Sequence, residues 1–181
     1  MPPRSASQPT DSVIARANVL LPDAPADSVA LWLWTWRAGR IVETFTREQL
    51  TEDGIDMSEF VVLFVLWFSG KPYRSTQADL ARDVVLTQSG IVRALQRATR
   101  NGTINKIRHP DDGRTQIIEL TDRGRELVER TMSKLLENFD ERTGKRESAE
   151  VRRLADSAFE IAAAVEGPRN PLPLGHADPA W

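Results

Sequence analysis

The chain is 181 residues long, 40% hydrophobic and 28% charged, with 24 Lys or Arg, 26 Asp or Glu and no cysteine. That content is enough for one sizeable core, alone or shared with a partner chain. The missing cysteine excludes disulfides, thiolate metal sites and cysteine redox switches.

Residues 1–25 form a Pro- and Ser-rich N-terminal arm, within which Asp11 to Leu20 has the composition of a short helix. The arm carries no apolar signal core. From Asp27 or Ser28 a long helix runs to about Leu50, the main part of a segment 26–56 expected to serve dimerisation. Leu31, Trp34, Ala38, Ile41, Val42 and Phe45 share one face of it. Trp32 and Trp36 lie on the adjacent face with Arg40. These tryptophans suit either core and subunit packing or the aromatic wall of a ligand pocket. In the second case Arg37 or Arg40 pairs an anionic ligand, since the guanidinium fork matches a carboxylate. Met57 to Phe68, started by Asp56 or Ser58, is apolar nearly all round and is expected at the centre of the subunit. Its end carries Trp67, which is placed for the core or for the same pocket. The run Phe60 to Phe68 is the longest apolar stretch and is too short to span a bilayer. A soluble cytoplasmic protein without membrane association is expected.

Lys71-Pro72-Tyr73-Arg74 reads as a turn, and residues 76–121 then read as helix, helix and hairpin. Thr76-Gln77-Ala78-Asp79 opens the first helix as a capping box. Thr87 or Ser89 caps the second, in which Ile91, Leu95 and Ala98 recur at helical spacing. Asn101-Gly102 closes it. Thr103 to Arg108 and Thr115 to Leu120 are β-prone, with His109 to Gly113 turning the chain between them. This order is that of a winged helix-turn-helix, predicted over 57–120. Thr121 to about Thr143 follows as a helix with Leu127, Val128, Met132, Leu135, Leu136 and Phe139 on one stripe. Gly144 breaks it. A last helix runs from Glu147 to about Val165, with Val151, Leu154, Ala155, Ala158, Phe159 and Ala162 inward. Residues 121–165 thus supply two more dimerisation helices, and 166–181 a Pro-rich tail. The fold expected is mainly α with a small β-hairpin wing: a DNA-binding lobe plus a helical dimerisation region. One chain cannot cover these stripes, so a twofold homodimer is the expected solution.

The net charge of −2 conceals a strong asymmetry. Residues 71–115 hold nine Lys or Arg against four Asp, which leaves the rest of the chain at −7. A basic segment in an acidic body is the electrostatic signature of a nucleic-acid reader. The N-terminal part of the second helix should face the major groove, presenting Thr87, Gln88, Ser89, Gly90 and Arg93. Gln88 suits adenine, and Arg93 suits guanine or a phosphate. Thr87 and Ser89 serve capping, DNA contact or both. Arg97, one turn on, faces a phosphate or an internal acid. Gln77, Lys106 and Arg108 are candidates for backbone contact. Arg114 lies in a tight polar turn from which a single Arg can enter a narrow minor groove, and Asp112 can brace it or the hairpin.

Asp112-Gly113-Arg114, followed by Ile118, Leu120-Thr121 and Gly124, resembles the wing signature of MarR-type transcriptional regulators. Leu80-Ala81, Ser89, Arg93, Leu95 and Gly102 extend the resemblance upstream, and it runs more loosely over residues 30–165. Two positions depart from the family pattern: Thr103 stands where a large apolar residue is usual, and Lys106 where Arg is common. The resemblance implies a homodimer that binds a palindromic double-stranded operator, most often as a repressor, and is released by a small phenolic or aromatic-acid effector. The rival readings are a non-specific architectural DNA binder and a winged-helix module for protein contact. An enzyme is not expected. No Gly-rich phosphate loop or nucleophile elbow occurs, and His109 and His176 are the only histidines. No metal and no cofactor are implied.

Overall fold

The computed structural model describes residues 7–110, 115–144 and 146–166. The chain divides into two compact units, 1–48 and 49–181.

The first unit holds α1 (Ser7–Leu20) and most of α2 (Ala26–Glu52). Helix α1 starts earlier than its sequence suggests and includes Pro9. A proline in the first turn removes only an N–H that has no intrahelical partner there. Leu21 N donates to Ala17 O at 2.8 Å and Ser28 N to Pro25 O at 2.9 Å, closing the turn into α2. Of the six residues predicted to share one face of α2, Phe45 is buried and Trp34 half-buried, but Leu31, Ala38, Ile41 and Val42 are exposed. The described residues leave that stripe uncovered.

The second unit is built around α3 (Met57–Phe68), which has the predicted bounds. Asp56 caps it, accepting from Ser58 N at 2.9 Å. Val62, Leu63, Val65 and Leu66 are buried against α4 (Gln77–Asp83) and α5 (Gln88–Arg100), in a core that includes Leu80, Ile91, Ala94, Leu95 and Ala98. Thr76 caps α4 through Asp79 N, and Thr87 caps α5 through Gly90 N, each at 3.1 Å. Of the two caps considered for α5, Thr87 is the one used. Gly102, at φ 67°, ends that helix in the left-handed region that favours glycine.

The wing is a three-stranded antiparallel sheet in the order β1 (Arg74–Thr76), β3 (Gln116–Leu120), β2 (Ile104–Arg108). The sequence predicted only the β2–β3 hairpin, which pairs Ile104 with Leu120 and Lys106 with Ile118. Strand β1 is the correction. Arg74, read as the end of a turn, pairs with Glu119, and Thr76 with Ile117. Three residues are too few to show an alternating pattern, so this strand exists only through its partner.

Thr121 caps α6 (Asp122–Thr143) and ties the wing to its root. It accepts from Gly124 N at 3.0 Å, donates to Gly102 O at 2.8 Å, and its N–H reaches Thr103 O at 3.1 Å. Val128 and Thr131 of α6 are buried, whereas Leu136 and Phe139 are exposed. In α7 (Ser148–Glu166) the whole predicted inward stripe is exposed, including Val151, Leu154 and Phe159. The helical periodicity holds, but none of the described residues covers it. No described helix is long and apolar enough to cross a membrane.

Candidate nucleic-acid interface

Helix α5 divides cleanly by face. Ile91, Ala94, Leu95 and Ala98 are buried, while Gln88, Ser89, Val92, Arg93, Gln96 and Arg100 are exposed. The buried positions recur at three- and four-residue intervals and dock the helix on α3. Docking leaves the polar ridge as the outer surface of the lobe. At the N-terminus, Thr87 Oγ1 lies 3.4 Å from Ser89 Oγ. Arg93 lies back along the ridge, donating from Nε to Ser89 O at 3.2 Å and from Nη2 to Ser89 Oγ at 3.3 Å. The residues predicted to read base edges are therefore together on one exposed turn. Gly90 has a local reason to be glycine. A Cβ there would stand 3.0 Å from Thr87 Oγ1, crowding the cap.

Lys106 and Arg108 are exposed on β2, and Gln77 is half-buried in the first turn of α4. Lys71 is exposed just before β1 and Arg74 at its first position. Among the described residues none of these four cations stands in an ion pair. Asp112 and Arg114 lie outside the described residues.

Arg97 differs from the other arginines of α5. Its Nη2 donates to Asp56 Oδ1 at 2.7 Å and to Ser58 Oγ at 2.6 Å, at the start of α3. Arg97 thus pairs with an acid of its own chain, one of the two roles weighed for it, although that acid is exposed rather than internal. The Ser58 hydroxyl donates to the same Asp56 oxygen, and with Arg97 beside it the carboxyl is held below its usual pKa. The hydrogen bond from Ser58 is the larger cause.

Glu59, which the sequence expectations did not single out, adjoins this contact. Glu59 is 2% exposed within an otherwise apolar helix. Asn101 Nδ2 donates to its two oxygens at 3.1 and 3.0 Å, and Thr103 Oγ1 to Oε1 at 3.3 Å. The departure at Thr103 is thereby explained, since a buried hydroxyl at that position answers a buried carboxylate. A polar residue in each of two apolar positions was the signal available in the sequence.

The aromatic candidates separate. Trp32 and Trp36 are exposed on α2, stacked at 6.0 Å with planes 6° apart. Arg37 and Arg40 are exposed on the same helix, and Arg40 donates to Glu43 at 2.9 Å. Trp67 belongs to the second unit, half-buried against Phe64 and Phe68. Its Nε1 donates to Glu129 at 3.4 Å, a carboxylate that also accepts from Arg125 of α6. Trp67 thus joins α3 to α6, the packing role of the two weighed for it. Among the described residues no group of His, Asp or Glu is arranged to hold a metal.

A helix-turn-helix carrying an exposed polar second helix, followed by an antiparallel wing, defines a winged-helix lobe. The sequence model of the SarA/Rot transcriptional regulators matches residues 44–131. An uncharacterised HTH-type transcriptional regulator of Bacillus subtilis, YdgJ, is 32% identical over 101 residues, 56% of this chain and 59% of that protein. The chain thus spans about three fifths of that curated relative. Sco3205, a MarR family transcriptional regulator of Streptomyces coelicolor solved in complex with DNA, superposes with a TM-score of 0.68 at 23% identity, over 83% of this chain and 98% of that one. Bordetella bronchiseptica BpsR, whose DNA binding is regulated by 6-hydroxynicotinic acid, superposes with a TM-score of 0.57 at 21% identity, over 70% and 88%. At these identities the two structures speak to the fold. The segment 44–131 matches the SarA/Rot regulator model, and its winged-helix fold is that of the solved MarR-type structures. The named matches are transcriptional regulators, not enzymes.

Proposed function

We propose that this chain is a homodimeric, sequence-specific DNA-binding transcriptional regulator acting in the cytoplasm. The observation that carries the reading is the polar N-terminal turn of α5, where Gln88, Ser89 and Arg93 stand exposed, in a lobe whose β2 also exposes Lys106 and Arg108. Such a turn fits the major groove, with the wing along the backbone. The uncovered stripes of α2, α6 and α7 support the dimer, and a twofold dimer calls for a palindromic operator. DNA flanking the chain's own gene, titrated by fluorescence anisotropy beside a random duplex, tests this. Tight binding to one flanking fragment at two chains per duplex is expected. Arg93→Ala should weaken that binding roughly 5- to 150-fold, the worth of one good base contact. Equal affinity for both duplexes would make the chain an architectural binder, and no binding would leave a protein-contact module.

The regulator acts as a repressor that a small aromatic or phenolic acid releases. The stacked pair Trp32 and Trp36 with Arg37 and Arg40 supports an aromatic anion on α2. Tryptophan fluorescence should change with an aromatic acid that also raises the operator Kd. A panel that leaves both unchanged would remove the effector from the reading.

A further inference from the structure

The C-terminal half of α5 and the root of β2 are held by one turn of α3 through directional polar contacts. Asp56 and Ser58 take Arg97, while Glu59 takes Asn101 and Thr103. The three partners lie four and then two residues apart, so they grip the helix over its last turn and continue into the strand. The apolar contact between α3 and α5 is non-directional and leaves roll and slide soft. Hydrogen bonds to fixed carboxylates do not. Arg97 Nε is buried without a partner among the described residues, so the guanidinium is drawn inward even at the expense of one N–H. Thr103 Oγ1 is bifurcated between Glu59 and Ala98 O at 3.0 Å, which links the strand root back to the helix.

We propose that the first turn of α3 is a positioning clamp, in which Asp56 and Arg97 set the roll of the recognition helix so that Gln88, Ser89 and Arg93 meet base edges in register. This rests on the reading of α5 as the DNA-reading helix. Arg97 then contributes to specificity without meeting a phosphate, although its position one turn beyond Arg93 makes it look like a backbone contact. Asp56 does two things with one carboxylate, capping α3 and anchoring Arg97.

The test uses the full chain with its flanking operator and a random duplex, over a series of salt concentrations. Asp56→Asn keeps an effective helix cap, since Asn caps about as well as Asp, and removes the charged acceptor. Arg97→Gln removes the guanidinium fork and its charge. Each should lower the ratio of operator to random-duplex affinity about 10-fold, the size of one weak base contact. Random-duplex affinity and the slope of log K against log salt should stay at the parent values. The double variant should lose no more than either single one, because both remove the same interaction. A slope shallower by about 0.9 in Arg97→Gln would overturn the proposal, because it marks a lost phosphate contact. So would an unchanged ratio in both single variants, or losses that add in the double variant. A parent chain that does not discriminate the two duplexes would instead overturn the regulator reading itself. Thermal melting accompanies each variant, and Asp56→Asn carries the test if Arg97→Gln fails to fold.

Discussion

Gly124→Ala is expected to lower the melting temperature by roughly 10 °C, from a cost of about 3 kcal/mol at the upper end of ordinary overpacking. A Cβ at Gly124 would stand 2.1 Å from Thr103 O and 3.2 Å from Leu120 Cδ2. The first contact is with backbone, which cannot rotate away. That carbonyl also accepts Thr121 N at 3.1 Å, and the same residue's hydroxyl is fixed between Glu59 and Ala98 O. Relief therefore requires the first turn of α6 to lift off the wing root, and the Thr121 cap moves with it. Gly39→Ala is the matched control. It lies within α2 with nothing inside 4 Å of the added carbon, so only helix propensity acts there, and that favours alanine. Thermal melting followed by circular dichroism reads both. A Gly124→Ala variant melting within about 2 °C of the parent would mean that α6 yields easily, and the close approach would then not explain the glycine.

The glycine of the wing signature was legible in the sequence as a motif element, but its cause was not. A motif records which residue stands where, whereas the cause is a carbonyl 21 positions earlier in the chain. The same division runs through the fold. Helix α3 was read with its true bounds, and α5 and α6 to within a residue or so, because each carries a strong local signal. Thr76, Thr87 and Thr121 all cap, and Gly102 has the positive φ of a helix stop. Strand β1 was missed because its cause lies in β3, more than 40 residues away. The stripes of α2 and α7 were read correctly as helical, and they stand exposed in a single chain, as stripes expected to need a second chain would. Periodicity states which residues share a face and not what covers it. At the candidate interface, burial within α5 was predictable from spacing alone, so Gln88, Ser89 and Arg93 were correctly placed outside. The fate of Arg97 was not predictable, because its outward neighbour Arg93 and its inward neighbour Ala94 bracket it, and the deciding acid sits 41 residues upstream. Glu59 was hidden by its surroundings. A carboxylate in an apolar run reads as an exposed position until its donors are found.

The face division of α5 also sets the second large effect. Leu95→Ala should destabilise the lobe by roughly 2–5 kcal/mol, as burial of a large aliphatic side chain in a filled core implies. Leu95 is 1% exposed and belongs to the core cluster with Leu63, Leu66 and Ala98. The atoms removed leave a cavity between α5 and α3, whose backbones are held by the polar clamp at one end and cannot close on it freely. Val92→Ala, on the same helix but 40% exposed, removes two methyl groups from a partly solvated position and replaces a β-branched residue by a better helix former. Its change should stay within about 0.5 kcal/mol, the range of ordinary surface substitutions. Urea unfolding of the two variants beside the parent separates burial from mere membership of the recognition helix. Leu95→Ala should move the midpoint sharply with little change in slope. Operator binding measured well below that midpoint should fall only by the unfolded fraction, because Leu95 touches no base and the exposed ridge is intact in every folded molecule. A Leu95→Ala chain that stays fully folded yet loses operator discrimination would show instead that apolar packing, and not the α3 clamp, governs how the helix sits. Comparable losses of stability from Leu95→Ala and Val92→Ala would contradict the burial of one face of α5 on which the interface is built.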